Sequence, residues 1–230
     1  MRTRQEIFIT TITGMKTMIK AIIFDLDGTL LDTLHDLTDS VNHVLTNHNM
    51  KNRTVDEIRS FIGNGVPTLI ARSVPAGTDK AVTDICVKEM AEYYKDHADI
   101  KTKPYDGIAE LLSALNEKGI KTAVVTNKVE NAAKILCKNE FGDAFDCVIG
   151  DNGKDRLKPC PDNVFRALDI LGFPREEVLY AGDSDVDMIT AENAGLRSIG
   201  VTWGFRDEDV LRKNGADFIV HYPSEILKIL

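Results

Sequence analysis

The stretch "FDLDGTLLDT", Phe24–Thr33, decides the fold, because it closes an apolar run with two aspartates one residue apart. The run itself, "IKAIIFDLD" (19–27), has the length and β-branched content of a strand buried on both faces. Gly28 permits a sharp exit turn after it. Two carboxylates at about 4 Å repel by roughly 4 kcal/mol at an effective dielectric constant near 20. A strand that ends on Asp25 and Asp27 therefore indicates a site where a cation or a reaction makes this pair useful.

Five further apolar runs of strand length follow, separated by segments whose apolar residues recur at helical spacing. The predicted strands are "TAVVTN" (122–127), "CVIGD" (147–151), "VLYAGD" (178–183), "RSIGVTW" (197–203) and "DFIVHY" (217–222). The predicted helices are Gly107–Lys118, Glu130–Glu140, Pro161–Leu171, Val186–Ala194 and Glu208–Lys213. Strands that alternate with helices and are apolar on both faces predict an α/β fold, a Rossmann-like parallel sheet with helices on both sides.

The segment from Leu34 to Ala98 interrupts this alternation, because it contains helical patterns and no convincing strand. The predicted helices there are Leu34–His48, Val55–Ile62, Val66–Ser73 and Lys80–Asp96. We predict an all-helical domain at residues 33–102, inserted into an α/β core of residues 18–32 plus 103–230. Residues 1–17 are predicted to be an N-terminal extension, either a frayed, disordered tail or the product of an upstream start, because Met15 and Met18 lie just ahead of the first strand.

The composition excludes several classes of protein. With 230 residues and 43% hydrophobic residues, the chain can build one full core and a smaller appendage. A net charge of −8 offers no broad basic face, so neither a nucleic acid nor a membrane surface is an expected partner. No apolar stretch approaches the roughly 20 residues of a membrane span. The four cysteines form no CxxC pair, which predicts reduced thiols and a cytoplasmic protein.

Polar residues stand at the carboxyl ends of the predicted strands, where parallel sheets bind ligands. They are Asp25 and Asp27 after the first strand, Thr126 and Asn127 after the second, and Asp183, Ser184 and Asp187 after the fourth, with Lys158 of "RLKPCP" (156–161) in the loop after the third. Each has an ordinary structural explanation, such as turn formation, helix capping, solvation or β propensity. Their joint placement on one edge of one sheet favours a functional site.

This set of residue types suits phosphoryl transfer. A carboxylate such as Asp25 can attack phosphorus and split one difficult step into two easier ones. Asp27 in its carboxylic acid form can protonate the leaving group, and the resulting carboxylate can then deprotonate water. Asp183 adds an oxygen ligand of the kind that Mg²⁺ prefers, while Lys158 offsets the negative charge and Thr126 can donate to a phosphate oxygen.

The motifs "DLDGTLLDT", "VVTNK", "LKPCPD" and "GDSDVDM" resemble the four motifs of the haloacid dehalogenase superfamily, in the family's order. The helical insert stands where that superfamily has its type-1 cap. The resemblance implies Asp25 as nucleophile, Asp27 as general acid/base, Thr126 as phosphate ligand and Lys158 as charge stabiliser. It implies Mg²⁺ bound by the Asp25 carboxylate, the Asp27 carbonyl and Asp183, with Asp187 close to these ligands. An acid at position 27 implies phosphate-ester chemistry, because the dehalogenase and phosphonoacetaldehyde-hydrolase branches lack it.

The cap is expected to select the substrate. Its segment "FIGNGVPTLIARSV" (61–74) resembles the cap loop of phosphoglycolate phosphatases, as does "VTWGFRDEDVLRKNGADFIV" (201–220). Candidate substrate-binding residues are Gly63, Asn64, Gly65, Arg72 and Asn127, although the glycines also suit helix ends and Arg72 also suits a solvated face.

The resemblance implies a Mg²⁺-dependent phosphatase of a small phosphorylated metabolite, with 2-phosphoglycolate favoured. Pyrophosphate, a sugar phosphate or a nucleotide as substrate, and a β-phosphoglucomutase-like isomerase, remain open alternatives. A non-catalytic binding module is disfavoured because all the motif residues are present. The protein is expected to be a monomer or a homodimer. Dinucleotide binding is also disfavoured, because "GNGVPT" lacks the third glycine of GxGxxG and follows no predicted strand, and the P-loop motif is absent.

Overall fold

A computed structural model describes residues 18–230, so the predictions for residues 1–17 lie outside the described part of the chain. In chain order the strands are β1 (Ala21–Phe24), β2 (Leu31–Asp32), β3 (Lys103–Pro104), β4 (Lys121–Val129), β5 (Cys147–Asp151), β6 (Val178–Gly182), β7 (Arg197–Val201) and β8 (Phe218–Val220). The α-helices are α1 (Leu34–Asn47), α2 (Val55–Phe61), α3 (Gly65–Ser73), α4 (Lys80–Lys95), α5 (Ile108–Glu117), α6 (Glu130–Phe141), α7 (Asp162–Leu171), α8 (Asp185–Ala194) and α9 (Glu208–Lys213). Two 3₁₀ helices, Arg175–Glu177 and Pro223–Lys228, complete the elements.

Six strands form one parallel sheet in the order β5-β4-β1-β6-β7-β8. Phe24, the last residue of β1, is in register with Val124 of β4 and Ala181 of β6. The carboxyl ends of β1 and β6 therefore lie side by side, and β4 continues beyond them to Val129. The predicted Rossmann-like α/β fold is confirmed.

Both faces of the sheet are buried, which explains why its strands are apolar throughout. Side chains alternate between the faces of a strand, so Ile22 and Phe24 join one core cluster while Ala21 and Ile23 join the other. The first cluster extends into α1–α4, and the second contains residues of α7 and α8. The continuous apolar core fixes β1 rigidly, and with it the two aspartates that follow.

The helical segment α1–α4 leaves and re-enters the core through a pair of adjacent connections. These are tied together by the antiparallel pair β2–β3, in which Leu31 faces Pro104 and Asp32 faces Lys103. The sequence did not reveal this pair, because two residues are too few to show strand periodicity. No helix within residues 18–230 is long and apolar enough to cross a lipid bilayer.

Candidate active site

A cavity of about 50 Å³ lies at the carboxyl ends of the central strands, beneath the end of α2. It is lined by Asp25, Asp27, Ile62, Gly63, Thr126, Asn127, Lys128, Lys158, Asp183, Ser184, Phe205 and Arg206. The structure thus brings together most of the side chains predicted from strand ends, although they are spread over more than 150 positions of sequence. It also places the cap-segment residues Ile62 and Gly63 against them.

Lys158 lies between two carboxylates in the wall of this cavity. Its Nζ atom is 2.7 Å from Asp25 Oδ1 and 2.7 Å from Asp187 Oδ1, and its side chain is only 3% exposed. Burial alone would lower the pKa of Lys158, but the Asp187 and Asp25 carboxylates outweigh it and raise that pKa well above its usual range. Lys158 is therefore a fixed positive charge beside Asp25.

Asp187 is bonded through both of its carboxylate oxygens. Oδ1 accepts from Lys158 at 2.7 Å and from the Tyr180 hydroxyl at 3.2 Å. Oδ2 accepts from the Ser184 hydroxyl at 2.6 Å and from the Ser184 amide at 3.1 Å, within a capping box that starts α8. The motif "GDSDVDM" therefore caps a helix and also holds Lys158 in place. Because both oxygens are engaged, Asp187 serves to position Lys158.

Asp183 is held in a close-packed corner of the cavity. Oδ1 accepts from the Thr29 hydroxyl at 3.1 Å, and Oδ2 accepts from the Phe205 amide at 2.7 Å. A side chain at Gly28 or at Gly204 would collide with Asp183, and Gly28 also has a φ angle of +87°. Burial, reinforced by repulsion from Asp187, raises the pKa of Asp183 to about 7.

The carboxylates of this corner fit a hard divalent cation. Ligand oxygens of Asp25, Asp183 and Asp187 lie within 4.8 Å of one another. Asp25 Oδ1 is buried and, although it touches Lys158, no donor meets it at hydrogen-bonding angles. Burial and then Asp187 raise the pKa of Asp25 well above its usual range, since Lys158 offsets only part of the repulsion. All of these potential ligands are carboxylate oxygens, and one of them lacks a hydrogen-bond donor. Mg²⁺ prefers oxygen ligands of this kind, so the residues fit this ion.

Asp27 is bound on the opposite side of the cavity by Lys128. Lys128 Nζ donates to Asp27 Oδ1 at 2.8 Å and to the hydroxyl of Tyr94, a residue of α4, at 2.8 Å. Burial would lower the pKa of Lys128, but Asp27 reverses the effect and raises it. Burial raises the pKa of Tyr94 to about 12, so its hydroxyl stays neutral. A carboxylate of the core is thereby connected to the helical segment through one buried lysine.

Thr126 and Asn127 lie near the carboxyl end of β4, and Thr126 is buried in the cavity wall. The Asn127 side chain accepts from the Lys158 amide at 2.8 Å and donates to the Lys158 carbonyl at 3.1 Å. It also donates to the Gly63 carbonyl at 3.1 Å. Asn127 therefore orients the lysine loop and fastens the segment after α2 to the cavity wall.

The other three predicted cap residues do not line the cavity. Asn64 is the residue before α3, and Gly65 begins that helix with a φ angle of +78°. Arg72, on α3, is exposed and donates to the Phe61 carbonyl at 2.8 Å.

The sequence reasoning assigned no role to Lys128 or Arg206. Lys128 stands in "VVTNK", directly after two predicted site residues, and Arg206 stands in "WGFR", in the loop after β7. Both follow the strands predicted at 122–127 and 197–203, so the same strand-end rule would have found them. Their partners, in contrast, come from helices far away in sequence.

Comparison with known proteins identifies the family. The sequence model of the haloacid dehalogenase-like hydrolase family matches residues 22–201. The chain belongs to this family. A candidate pyrophosphatase, PpaX, of Caldanaerobacter subterraneus is 34% identical over 213 residues, covering 92% of this chain and 94% of the relative. The phosphoglycolate phosphatase of Haemophilus influenzae is 33% identical over 224 residues, covering 94% of this chain and 100% of the relative.

Solved structures of the family agree with this fold. The crystal structure of a candidate phosphoglycolate phosphatase from Lactobacillus delbrueckii has a TM-score of 0.88 and 34% identity, over 92% of this chain and 98% of that one. The predictions of the family and of an enzyme of the phosphatase class are confirmed. The relatives' names differ in the phosphate compound that they specify.

Proposed function

We propose that this hydrolase is a Mg²⁺-dependent phosphatase that forms an aspartyl-phosphate on Asp25. The observation that carries the proposal is the contact between Asp25 and the buried cation Lys158 in a cavity that is also lined by Asp27 and Asp183. Asp25 would supply the nucleophile, and Lys158 would neutralise charge on the transferring group.

The reaction divides into two steps. In the first, an Asp25 carboxylate oxygen bonds to phosphorus while the phosphorus–ester oxygen bond breaks, and Asp27 gives a proton to the leaving alkoxide. In the second, Asp27 takes a proton from water, whose oxygen attacks phosphorus and releases Asp25 and inorganic phosphate. Thr126 would donate its hydroxyl to a phosphate oxygen. Lys128 holds the Asp27 carboxylate in the cavity before substrate enters.

Proximity of two carboxylates supports the proposed metal role, because oxygens of Asp25 and Asp183 lie within 4.8 Å of one another. Asp25, Asp183 and the Asp27 backbone carbonyl would hold Mg²⁺, with Asp187 fixing Lys158 beside them. When bound, Mg²⁺ would supply positive charge that offsets the phosphate and the carboxylates.

The proposed substrate is a small phosphorylated metabolite, with 2-phosphoglycolate favoured. The cavity holds about 50 Å³, room for a few water molecules, while Ile62 and Gly63 of the cap cover it. We propose residues 33–102 as the cap and residues 18–32 plus 103–230 as the catalytic core. Pyrophosphate is the second candidate, because a relative of equal similarity carries that name. A larger sugar phosphate, a nucleotide or an isomerase substrate requires a wider opening of the cap.

The test is phosphate release from 2-phosphoglycolate, pyrophosphate, a hexose phosphate, a nucleoside monophosphate and p-nitrophenyl phosphate, with Mg²⁺ and after EDTA treatment. We expect Asp25→Asn to abolish release, and Asp27→Asn to slow it by about 100-fold or more. Asp84→Asn, an exposed acid of α4, is the matched control and should retain full activity. Turnover by Asp25→Asn, or activity that EDTA leaves unchanged, would refute the proposal. Intact-mass detection of one added phosphoryl group on acid-quenched Asp27→Asn would support it directly.

We further propose a cytoplasmic monomer or homodimer. All four cysteines are free thiols, and burial raises the pKa of Cys137 to about 12 and of Cys147 to about 11, so these two are poorly reactive. Cell fractionation and light scattering test location and oligomeric state.

A further inference from the structure

Arg206 connects the cavity to the cap segment above it. Its Nη1 atom donates to the Arg59 carbonyl at 2.7 Å, and Nη2 donates to the carbonyls of Ile62 at 2.6 Å and Ser60 at 3.5 Å. These are carbonyls at the end of α2, which lack helical partners of their own. The Arg206 side chain is only 16% exposed, and it lines the same cavity as Asp25 and Lys158.

Arg206 is the least neutralised of the three cationic side chains that line the cavity. Lys158 contacts two buried carboxylates, and Lys128 contacts Asp27 at 2.8 Å. Arg206 instead contacts neutral carbonyls, and its nearest carboxylate is the half-buried Asp185, at 3.5 Å from Nε. Its charge therefore remains available to a further anion in the cavity.

The guanidinium also retains donors for such an anion. It carries five N–H groups in a planar fork, and three of them are donated to the α2 carbonyls. Within residues 18–230, the remaining N–H groups on Nε and Nη1 make no hydrogen bond. Each remaining N–H group can donate one charge-assisted hydrogen bond to a carboxylate or a phosphate, whereas a neutral hydroxyl does not complement the charge of the guanidinium.

We propose that Arg206 is a specificity-determining residue that binds a second anionic group of the substrate. This inference rests on the proposed phosphatase function and narrows the substrate to a short phosphomonoester with a carboxylate a few atoms from phosphorus. The small cavity sets the short distance, because Asp25 and Arg206 line the same space. Arg206 would join the bound carboxylate to the Ile62 carbonyl, so that the correct substrate also steadies the cap segment.

The experiment compares 2-phosphoglycolate with 2-hydroxyethyl phosphate, which has the same length and lacks the carboxylate. We expect wild type to prefer 2-phosphoglycolate in kcat/KM by roughly 10- to 100-fold, the worth of hydrogen bonds to a charged group. Arg206→Met should remove most of this preference, and Arg206→Lys should keep part of it. Loosening of the cap alone would lower kcat/KM equally for 2-phosphoglycolate and 2-hydroxyethyl phosphate, and the ratio of the two values would stay unchanged.

Arg72→Met is the matched control, because Arg72 also donates to a carbonyl at the end of α2 but does not line the cavity. It should leave the ratio at the wild-type value. A wild-type ratio near one, or an unchanged ratio in Arg206→Met, would overturn the inference while the phosphatase function stands. Titration calorimetry of both compounds on Asp25→Asn, with and without Arg206→Met, measures the same preference in binding. Preferential binding without turnover in wild type would overturn the phosphatase function and support the anion site.

Discussion

Replacing Lys158 by methionine tests whether the buried carboxylates depend on this cation. Methionine fills a similar volume without charge, so the substitution removes the two contacts of 2.7 Å to Asp25 and Asp187 and little packing. At an effective dielectric constant near 20, each contact is worth about 6 kcal/mol before desolvation is subtracted. Removal of one partner of a buried ion pair costs about 3–5 kcal/mol in net stability. We therefore expect Lys158→Met to lower the free energy of unfolding by about 3–5 kcal/mol at pH 7.

The loss should be smaller at low pH. Without Lys158, the Asp25 and Asp187 carboxylates face one another, and protonation of Asp25, whose pKa burial already raises, relieves the repulsion. The destabilisation should therefore shrink as the pH falls from 7 to 5. It should also shrink in the double variant Lys158→Met/Asp187→Asn, in which one of the stranded charges is gone.

Urea denaturation in EDTA measures these differences. The chain has one tryptophan, Trp203, whose indole donates to the Thr29 carbonyl near the site, so its fluorescence reports on the core. Circular dichroism gives a second probe, and coincident transitions justify a two-state analysis. Lys80→Met is the matched control, because its pair with Asp84 is exposed and should contribute nothing measurable. A loss below about 1 kcal/mol, or no coupling to Asp187, would refute the reasoning.

Two further predictions concern Asp183 and the link through Lys128. Because burial raises the folded-state pKa of Asp183 from 3.8 to about 7, the folded protein binds more protons than the unfolded chain between these values. Metal-free wild type should therefore gain about 2 kcal/mol of stability relative to Asp183→Asn as the pH falls from 7 to 5. Saturating Mg²⁺ should suppress this gain. Urea denaturation measures the difference, and a relative loss of stability would contradict the prediction. Tyr94→Phe removes one acceptor of Lys128, whereas Lys128→Met also releases the Asp27 carboxylate. We expect Tyr94→Phe to lower the free energy of unfolding by about 1 kcal/mol. We expect Lys128→Met to lower kcat by roughly 10- to 100-fold. Equal kcat in wild type and Lys128→Met would show that Lys128 does not position Asp27.

Much of the architecture could be predicted because its determinants are local. The predicted strand "CVIGD" coincides with β5, and the predicted helix Glu208–Lys213 coincides with α9. Such elements follow from apolar periodicity over a few residues and from the glycines and caps at their ends. The edge on which the strand-end residues meet also followed from sequence, since parallel strands place their carboxyl ends together.

The partners of these residues could not be predicted in the same way. From the sequence, Asp187 was expected only to lie close to the Mg²⁺ ligands. The structure shows its two carboxylate oxygens bonded to Lys158, Tyr180 and Ser184. Arg72 and Arg206 are both arginines close to candidate segments, yet only Arg206 lines the cavity. No periodicity distinguishes them, because the distinction depends on which helix end packs over which strand.

The sequence by itself determined the α/β alternation, the inserted helices and the set of polar residues at the strand ends. Tertiary structure decided which of them pair. The bonds of Lys128 to Asp27 and Tyr94 join residues 101 and 34 positions apart, and those of Arg206 reach back about 145 positions to α2. The Lys128–Asp27 bond arises when β4 pairs with β1, and the bonds to Tyr94 and to the end of α2 arise when the inserted helices pack on the sheet. Burial then gives each pair its strength, because the same charges on an exposed surface would be screened by water.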